Sequence, residues 1–182
     1  MLAFKMIWKA AVAFYDEMFP FLLMGFLTLI GCVLILPGPF VVAGLYGAAQ
    51  KAVRGEGVKW ANYWQGLKEF GLRTWLLLII VVAVYGILYL NFWFYTTSGI
   101  SPFSEQLGLW LVPLWIILAL VWTGTSYYAQ SFLMELQEPK IFAVFRSSLF
   151  LTILHPFVTL ILVVISALVL VLSVAFPILL IL

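Results

Sequence analysis

Residues 147–182 run for 36 positions without one Asp, Glu, Lys or Arg. A helix rises ~1.5 Å per residue, so this run outlasts the ~30 Å hydrocarbon core of a bilayer. It cannot be one upright helix confined to that core. Pro156 near its start and Pro177 near its end are where the direction should change. Composition extends the argument to the whole chain: 66% of its 182 residues are hydrophobic and 9% are charged, against roughly 25% charged in a soluble domain. The expected fold is all-α, a polytopic transmembrane helical bundle forming a single domain over residues 1–182, with the lipid bilayer as its solvent. A scattered net charge of +2 excludes a nucleic-acid partner, and a lone Cys32 excludes an intramolecular disulfide or a cysteine metal cage.

Charges fall in clusters, and the gaps between them predict four clear spans. Residues 1–18 are too short and too charged to cross. Asp16-Glu17 interrupts their apolar run and no small-residue cleavage site follows, so they read as an interfacial helix rather than a signal peptide. Residues 19–49 form a first span broken at Pro37-Gly38-Pro39, a structural hinge where an amide donor is missing. Residues 50–73 make a basic loop and an amphipathic helix, and residues 74–95 a second span ending in Asn91-Phe92-Trp93-Phe94-Tyr95, whose rings suit the headgroup level. Residues 107–134 are the third span, with Pro113 in its first turns, and residues 135–146 a charged loop. Residues 147–182 are the last span. Beyond Pro177 only five residues remain, so a fifth span is either cut short or absent.

Lysine and arginine set the orientation. Lys51, Arg54, Lys59, Lys68 and Arg73 lie after the first span and Lys140 and Arg146 after the third, whereas the loop between the second and third has none. The positive-inside rule places the two basic loops, 50–73 and 135–146, in the cytoplasm. A single crossing by residues 19–49 then leaves the N-terminus outside, with Lys5 and Lys9 partly offset by Asp16 and Glu17.

Chemistry has few places to reside. The second, third and fourth spans hold no acid or base in their interiors, which argues against a proton relay and an enzyme, and leaves passive passage of a neutral solute open. His155, in Leu154-His155-Pro156, is either a metal or pigment ligand or a hydrogen-bonding residue at a helix break where Pro156 leaves the Thr152 carbonyl without its usual donor. No metal or other cofactor is expected. Thr123, Thr125, Ser126, Tyr127, Tyr128, Gln130 and Ser131 either line a polar path or bond neighbouring helices together. Gly55 suits the left-handed residue that ends a helix, with Arg54 and Glu56 pairing or capping locally or contacting a partner subunit. Trp60, Tyr63, Trp64, Leu67 and Phe70 recur at helical spacing opposite Lys59, Asn62, Gln65, Lys68 and Glu69. This stripe predicts a helix lying along the cytoplasmic face, resting on headgroups or docking a partner.

Several of these features occur together in one family. Pro37, a helical continuation through Ala43 and Tyr46, Arg54-Gly55-Glu56 and Trp64-x-x-Leu67-Lys68-x-Phe70, then His155-Pro156-Phe157-Val158-Thr159-Leu160 and Phe176-Pro177, resemble YesL-like bacterial membrane proteins, a family of unknown function. The likeness runs from about Phe19 onward. Where the family has a Pro-small-Thr turn after the first span, this chain has Pro37-Gly38-Pro39-Phe40, and no role of that Thr transfers. Such proteins are often encoded beside carbohydrate ABC importers. The resemblance therefore implies a non-enzymatic accessory or assembly subunit of the bacterial plasma membrane, bound to importer subunits. On the reading of the residues themselves, Arg54, Glu56, Trp60, Trp64, Leu67 and Lys68 would bind the partner and His155-Pro156 is a second hinge. The rival readings are a small channel or facilitator for a neutral solute, and a pigment- or cofactor-holding subunit of an electron-transfer complex with His155 as axial ligand.

Overall fold

A computed structural model of the chain describes residues 8, 12, 15, 17–96, 105–136 and 140–175. Among them every regular element is a helix: α1 (Met18–Val33), α2 (Gly38–Val53), α3 (Trp60–Thr96), α4 (Glu105–Glu135), α5 (Ile141–Leu154) and α6 (Pro156–Ala175). Most of the expected interfacial segment 1–18 and everything beyond residue 175, Pro177 included, lie outside the described residues.

Helices α3 and α4 are long and apolar enough to cross a membrane, and α5 with α6 makes a third crossing if the bent pair counts as one. The expectation of four clear spans is corrected by residues 19–49. They form two helices of 16 residues each, ~24 Å long and short of the ~30 Å core. Pro37 does not kink a single crossing there; the chain reverses. Ile35 takes a left-handed φ of 59°, which costs a side-chain-bearing residue about 1–2 kcal/mol. Pro37 is the N-cap of α2, with Pro39 in its first turn, where a missing amide hydrogen costs nothing. The hairpin closes along its length. Gly31 lies against Val41, and the Glu17 carboxylate at the start of α1 reaches Gly57 beyond the end of α2. Both outer ends of the hairpin thus sit at one end of the bundle, and the turn lies partway along it, beside Trp75 of α3. Val33, Leu34, Ile35 and Leu36 at that turn are all exposed, while the Leu36 carbonyl is held by the Trp75 indole N–H at 3.1 Å.

Helix α2 packs antiparallel on the first half of α3 through glycine. A Cβ on Gly66 would meet the Ala43 carbonyl at 2.9 Å and the Gly47 Cα at 3.3 Å, and one on Gly44 would meet the Tyr63 carbonyl at 2.9 Å. Gly71 leaves room for the Phe40 ring. The backbones therefore touch, which is how helices gain dispersion energy where apolar burial gives little net advantage. Tyr63 is fully buried beneath α1 among Met24, Val41 and Ala48. Its hydroxyl meets Thr28 Oγ1 at 3.2 Å, and Thr28 in turn donates to the Met24 carbonyl at 2.7 Å.

This contact also corrects the amphipathic segment. Residues 60–70 do not form a separate helix lying flat; they begin the 37-residue α3, ~55 Å long. The charge pattern changes near Arg73, but the helix continues through Gly71, where the missing side chain admits the Phe40 ring of α2. Beyond it, α3, α4 and α5 share a second core of Leu77, Ala129, Leu133 and Val144, with Trp122 stacked on Phe145. Helix α5 begins at Ile141, inside the segment expected to be a charged loop, because Val144, Ser148 and Thr152 form a buried i, i+4, i+8 stripe with Arg146 on the exposed side. Helices α5 and α6 then meet at 104°, where Pro156 starts a new helix and His155 caps the old one at φ −128°, ψ 59°.

The glycine contact yields the first prediction. Gly66→Ala should destabilise the protein by about 1–3 kcal/mol, since backbone rather than a flexible side chain must yield. Gly86→Ala on the same helix meets nothing within 4 Å and should be neutral or mildly stabilising. Thermal melting of both variants in detergent, followed by circular dichroism, checks the contrast; equal melting of the two would remove the backbone contact as its cause.

Candidate functional site

The charged end of the bundle is built from a helix stop. Helix α2 ends with Gly55 at φ 76°; the Gly55 N–H donates to the Ala52 carbonyl at 2.9 Å and the Glu56 N–H to the Lys51 carbonyl at 3.1 Å. This is a Schellman closure, the one Gly55 predicts. It turns the flanking charges outward in two directions. Lys51 donates to Glu56 at 2.6 Å, and Arg54 Nη2 donates to both carboxylate oxygens of Glu135 at 2.9 Å. Arg54 and Glu56 therefore do not pair with each other as the sequence suggested. Arg54 instead reaches the last residue of α4.

Gln50, one turn earlier on α2, joins the same carboxylate. Its Nε2 donates to Glu135 at 2.8 Å and to the Met134 carbonyl at 3.2 Å, covering one of the carbonyls that a helix end leaves open. The Arg54 and Glu135 side chains are 45% and 60% exposed, so this pair contributes no more than about 1 kcal/mol to stability. Its consequence is geometric: it ties the far ends of α2 and α4 together.

Beside α2 and α4 lie two pockets, an outer and an inner one. The outer pocket, about 660 Å³, is lined by Tyr46, Gln50, Arg54, Ser131 and Glu135 among others. The inner pocket, about 450 Å³, reaches Cys32, Ile35, Gly38 and Pro39 at the hairpin turn and Leu77, Leu78 and Val81 on α3. Tyr46 borders both. The inner pocket is mainly apolar, with Thr74, Ser126 and Gln130 as its polar wall. Gln130 donates to Thr74 at 2.9 Å, whereas the buried Ser126 hydroxyl has no hydrogen-bond partner among the described residues.

The polar patch on α4 does not line one path. Thr123 bonds Tyr85 on α3 at 2.9 Å, while Tyr127 bonds Ser166 at 3.0 Å and Tyr128 bonds Thr159 at 3.2 Å, both on α6. Thr125 donates back to the Val121 carbonyl. Its side chains fan to different neighbours and serve as links between helices. Only Ser126, Gln130 and Ser131 border the pockets.

The remaining sequence-predicted residues separate by face. Trp60 and Trp64 are 43% and 48% exposed, and each meets the buried Tyr63 edge-on. Trp64 and Lys68 flank a shallow depression with Ala61, Gln65 and Glu69. Leu67 turns inward onto the first core. Pro37, Gly38 and Pro39 stand at the hairpin turn, and His155-Pro156 at the sharp bend, where the His155 carbonyl accepts from the Thr159 N–H and hydroxyl, both at 3.0 Å. Among the described residues no three His, Cys, Asp or Glu side chains converge on a metal-sized site. Sequence reasoning passed over Gln50, Tyr46 and Glu135. The signals available for them were weak: Glu135 is the final acid of a long apolar helix, and Gln50 the last amide before a basic cluster.

Comparison with family models, with curated proteins and with solved structures finds no match for this chain.

The ion pairs make a pH prediction. The hydrogen bond from Lys51 holds the Glu56 carboxyl below its usual range, with the charges of Lys51 and Arg54 adding to the effect. A carboxyl lowered on folding stabilises the folded state above its unfolded pKa, and that contribution disappears as pH falls through the folded value. Glu56→Gln should therefore melt slightly below wild type at neutral pH, and the gap should close on acidification through the carboxylate range. A gap independent of pH would assign the loss to something other than the ionised pair.

Proposed function

We propose that the chain is a non-enzymatic, multi-pass integral membrane protein of the bacterial plasma membrane, an accessory or assembly subunit that docks a membrane-protein partner. The observation that carries this reading is the overrun of α3. Its apolar part, from Trp75 onward, suffices to cross the hydrocarbon core, and residues 60–74 add ~22 Å beyond it. That extension carries Lys59 just before it and Lys68, Glu69 and Arg73 within it, yet exposes Trp60 and Trp64. Half-exposed tryptophans beside charged side chains are the composition of an interface core with its polar rim.

Orientation follows the basic residues. The hairpin brings the start of α1 to the end of the bundle that holds Lys51, Arg54 and Lys59, so a cytoplasmic position for that end agrees with Lys5 and Lys9 as well. This removes the cost of placing the N-terminal lysines outside. Arg54 and Glu56, engaged within the chain, shape the support for the docking face; Trp60, Trp64 and Lys68 form the face itself. The partner class, subunits of a carbohydrate ABC importer, rests on the resemblance to YesL-like proteins.

Affinity recovery of the tagged chain from its native membrane in mild detergent, with mass spectrometry of the eluate, tests this. Importer subunits should accompany wild type in near-stoichiometric amount and fall at least fivefold with Trp64→Ala/Lys68→Ala, while membrane insertion stays the same. Recovery of the chain alone, or equal recovery by the double variant, overturns the proposal.

A further inference from the structure

We infer that the inner pocket, enclosed by the hairpin turn, α3 and α4, binds one small neutral alcohol drawn from the membrane, an apolar body carrying a single hydroxyl group. The inference uses the membrane placement proposed above but neither the outer pocket nor the docking face on α3.

The polar demand comes from Gln130, which lines the pocket and is 7% exposed. An amide offers two donor hydrogens and an acceptor oxygen. One hydrogen goes to Thr74 Oγ1 at 2.9 Å, while the oxygen accepts nothing from the described residues. A buried acceptor without a donor is expensive to maintain, and a ligand that donates to it recovers the loss. The Ser126 hydroxyl on the same wall also has no partner, but its oxygen is covered, so Gln130 is the acceptor that a ligand meets. Tyr46 borders the same space, and its phenol can donate to the lone pairs of a hydroxyl oxygen.

Charge and size narrow the class. No acid, no base and no histidine lines this pocket, so an ionised ligand would be desolvated without a counter-charge. A ketone, ester or ether only accepts, and would set its oxygen against that of Gln130. The volume of about 450 Å³ holds on the order of fifteen water-sized groups at ~30 Å³ each, too few for a two-chained phospholipid. Position agrees with an amphiphile. Thr74, bonded to Gln130, is the last residue before the apolar part of α3, and Leu77, Leu78 and Val81 carry the wall onward into that part. Ile35 and Leu78 at the rim are exposed, which opens the pocket sideways to lipid.

Cys32 reports occupancy. It is the chain's one cysteine, exposed and part of the pocket lining, so a bound molecule should slow its alkylation by N-ethylmaleimide. The full chain in phosphatidylcholine nanodiscs would be titrated with 1-decanol and with its isomer nonyl methyl ether, which has no donor, each expressed as a mole fraction of lipid. In wild type decanol should half-protect Cys32 at about one-fifth of the ether's mole fraction, the ratio one neutral hydrogen bond gives. Gln130→Met keeps the side-chain length, removes the acceptor and should bring the two values together. Leu78→Trp, filling the pocket from an exposed position, should leave alkylation unresponsive to either probe while its circular dichroism melt matches wild type. Trp64→Ala/Lys68→Ala should keep the protection, which separates this result from the fate of the docking face. Equal protection of wild type by the two isomers, a preference for decanol that survives Gln130→Met, or protection that survives Leu78→Trp, as a general effect on the bilayer would, each overturns the inference.

Discussion

The backbone contact between α2 and α3 is the constraint on which the rest of the molecule depends. Where two helix backbones approach this closely, the dispersion contacts between them supply association energy. Gly44, Gly47 and Gly66 permit that approach. Once it is made, the hairpin turn lies beside Trp75, Tyr63 is covered by α1, and the end of α2 stands level with the end of α4. The Arg54–Glu135 pair is a consequence of that placement. At its exposure it could not impose the geometry by itself.

The same contact explains why the pockets exist. α2 is held on the first half of α3, whereas α4 follows the second half through Leu77, Ala129 and Leu133. Gln130 and Thr74 mark where the two packings meet. Two helices that share a partner but use different stretches of it diverge from one another, and the hydrogen bonds from Gln50 and Arg54 between them all fall at Met134 and Glu135. Side chains that could have filled the pockets are small or point elsewhere: Gly38 and Ser126 border the inner one, while Thr125 and Tyr128 spend their hydroxyls on α4 itself and on α6.

How much of this was legible in the sequence depends on whether the governing interaction is local. Gly55 as a helix stop, the breaks at Pro37 and Pro156, the long apolar helices around residues 74–95 and 107–134, and polar residues acting as links on α4 all follow from local chemistry. The direction taken after a break does not. Proline ends a helix, but whether the chain kinks or reverses is decided by Gly31 against Val41 and by an isoleucine held at φ 59°, neither of which periodicity encodes. The continuity of α3 was hidden because charge changes along it while helical conformation does not. Arg54 and Glu135 are 81 residues apart, and nothing local pairs Arg54 with Glu135 rather than with Glu56. The aromatic stripe was visible, yet its division into the buried Tyr63 and the half-exposed Trp60 and Trp64 required knowing where α1 lies.

The two arms of the hairpin are equal, at 16 residues each, and the turn that joins them is the most apolar irregular segment described, with its Leu36 carbonyl supplied with a donor by Trp75. Irregular backbone is tolerated at membrane depth only when its polar groups are satisfied by the protein. The hairpin turn meets that demand with its own backbone bonds and with the Trp75 indole. It also brings the start of α1 beside the end of α2, where Glu17 lies against Gly57. The close packing of α2 on α3 thus places both the turn beside Trp75 and the Arg54 guanidinium beside Glu135.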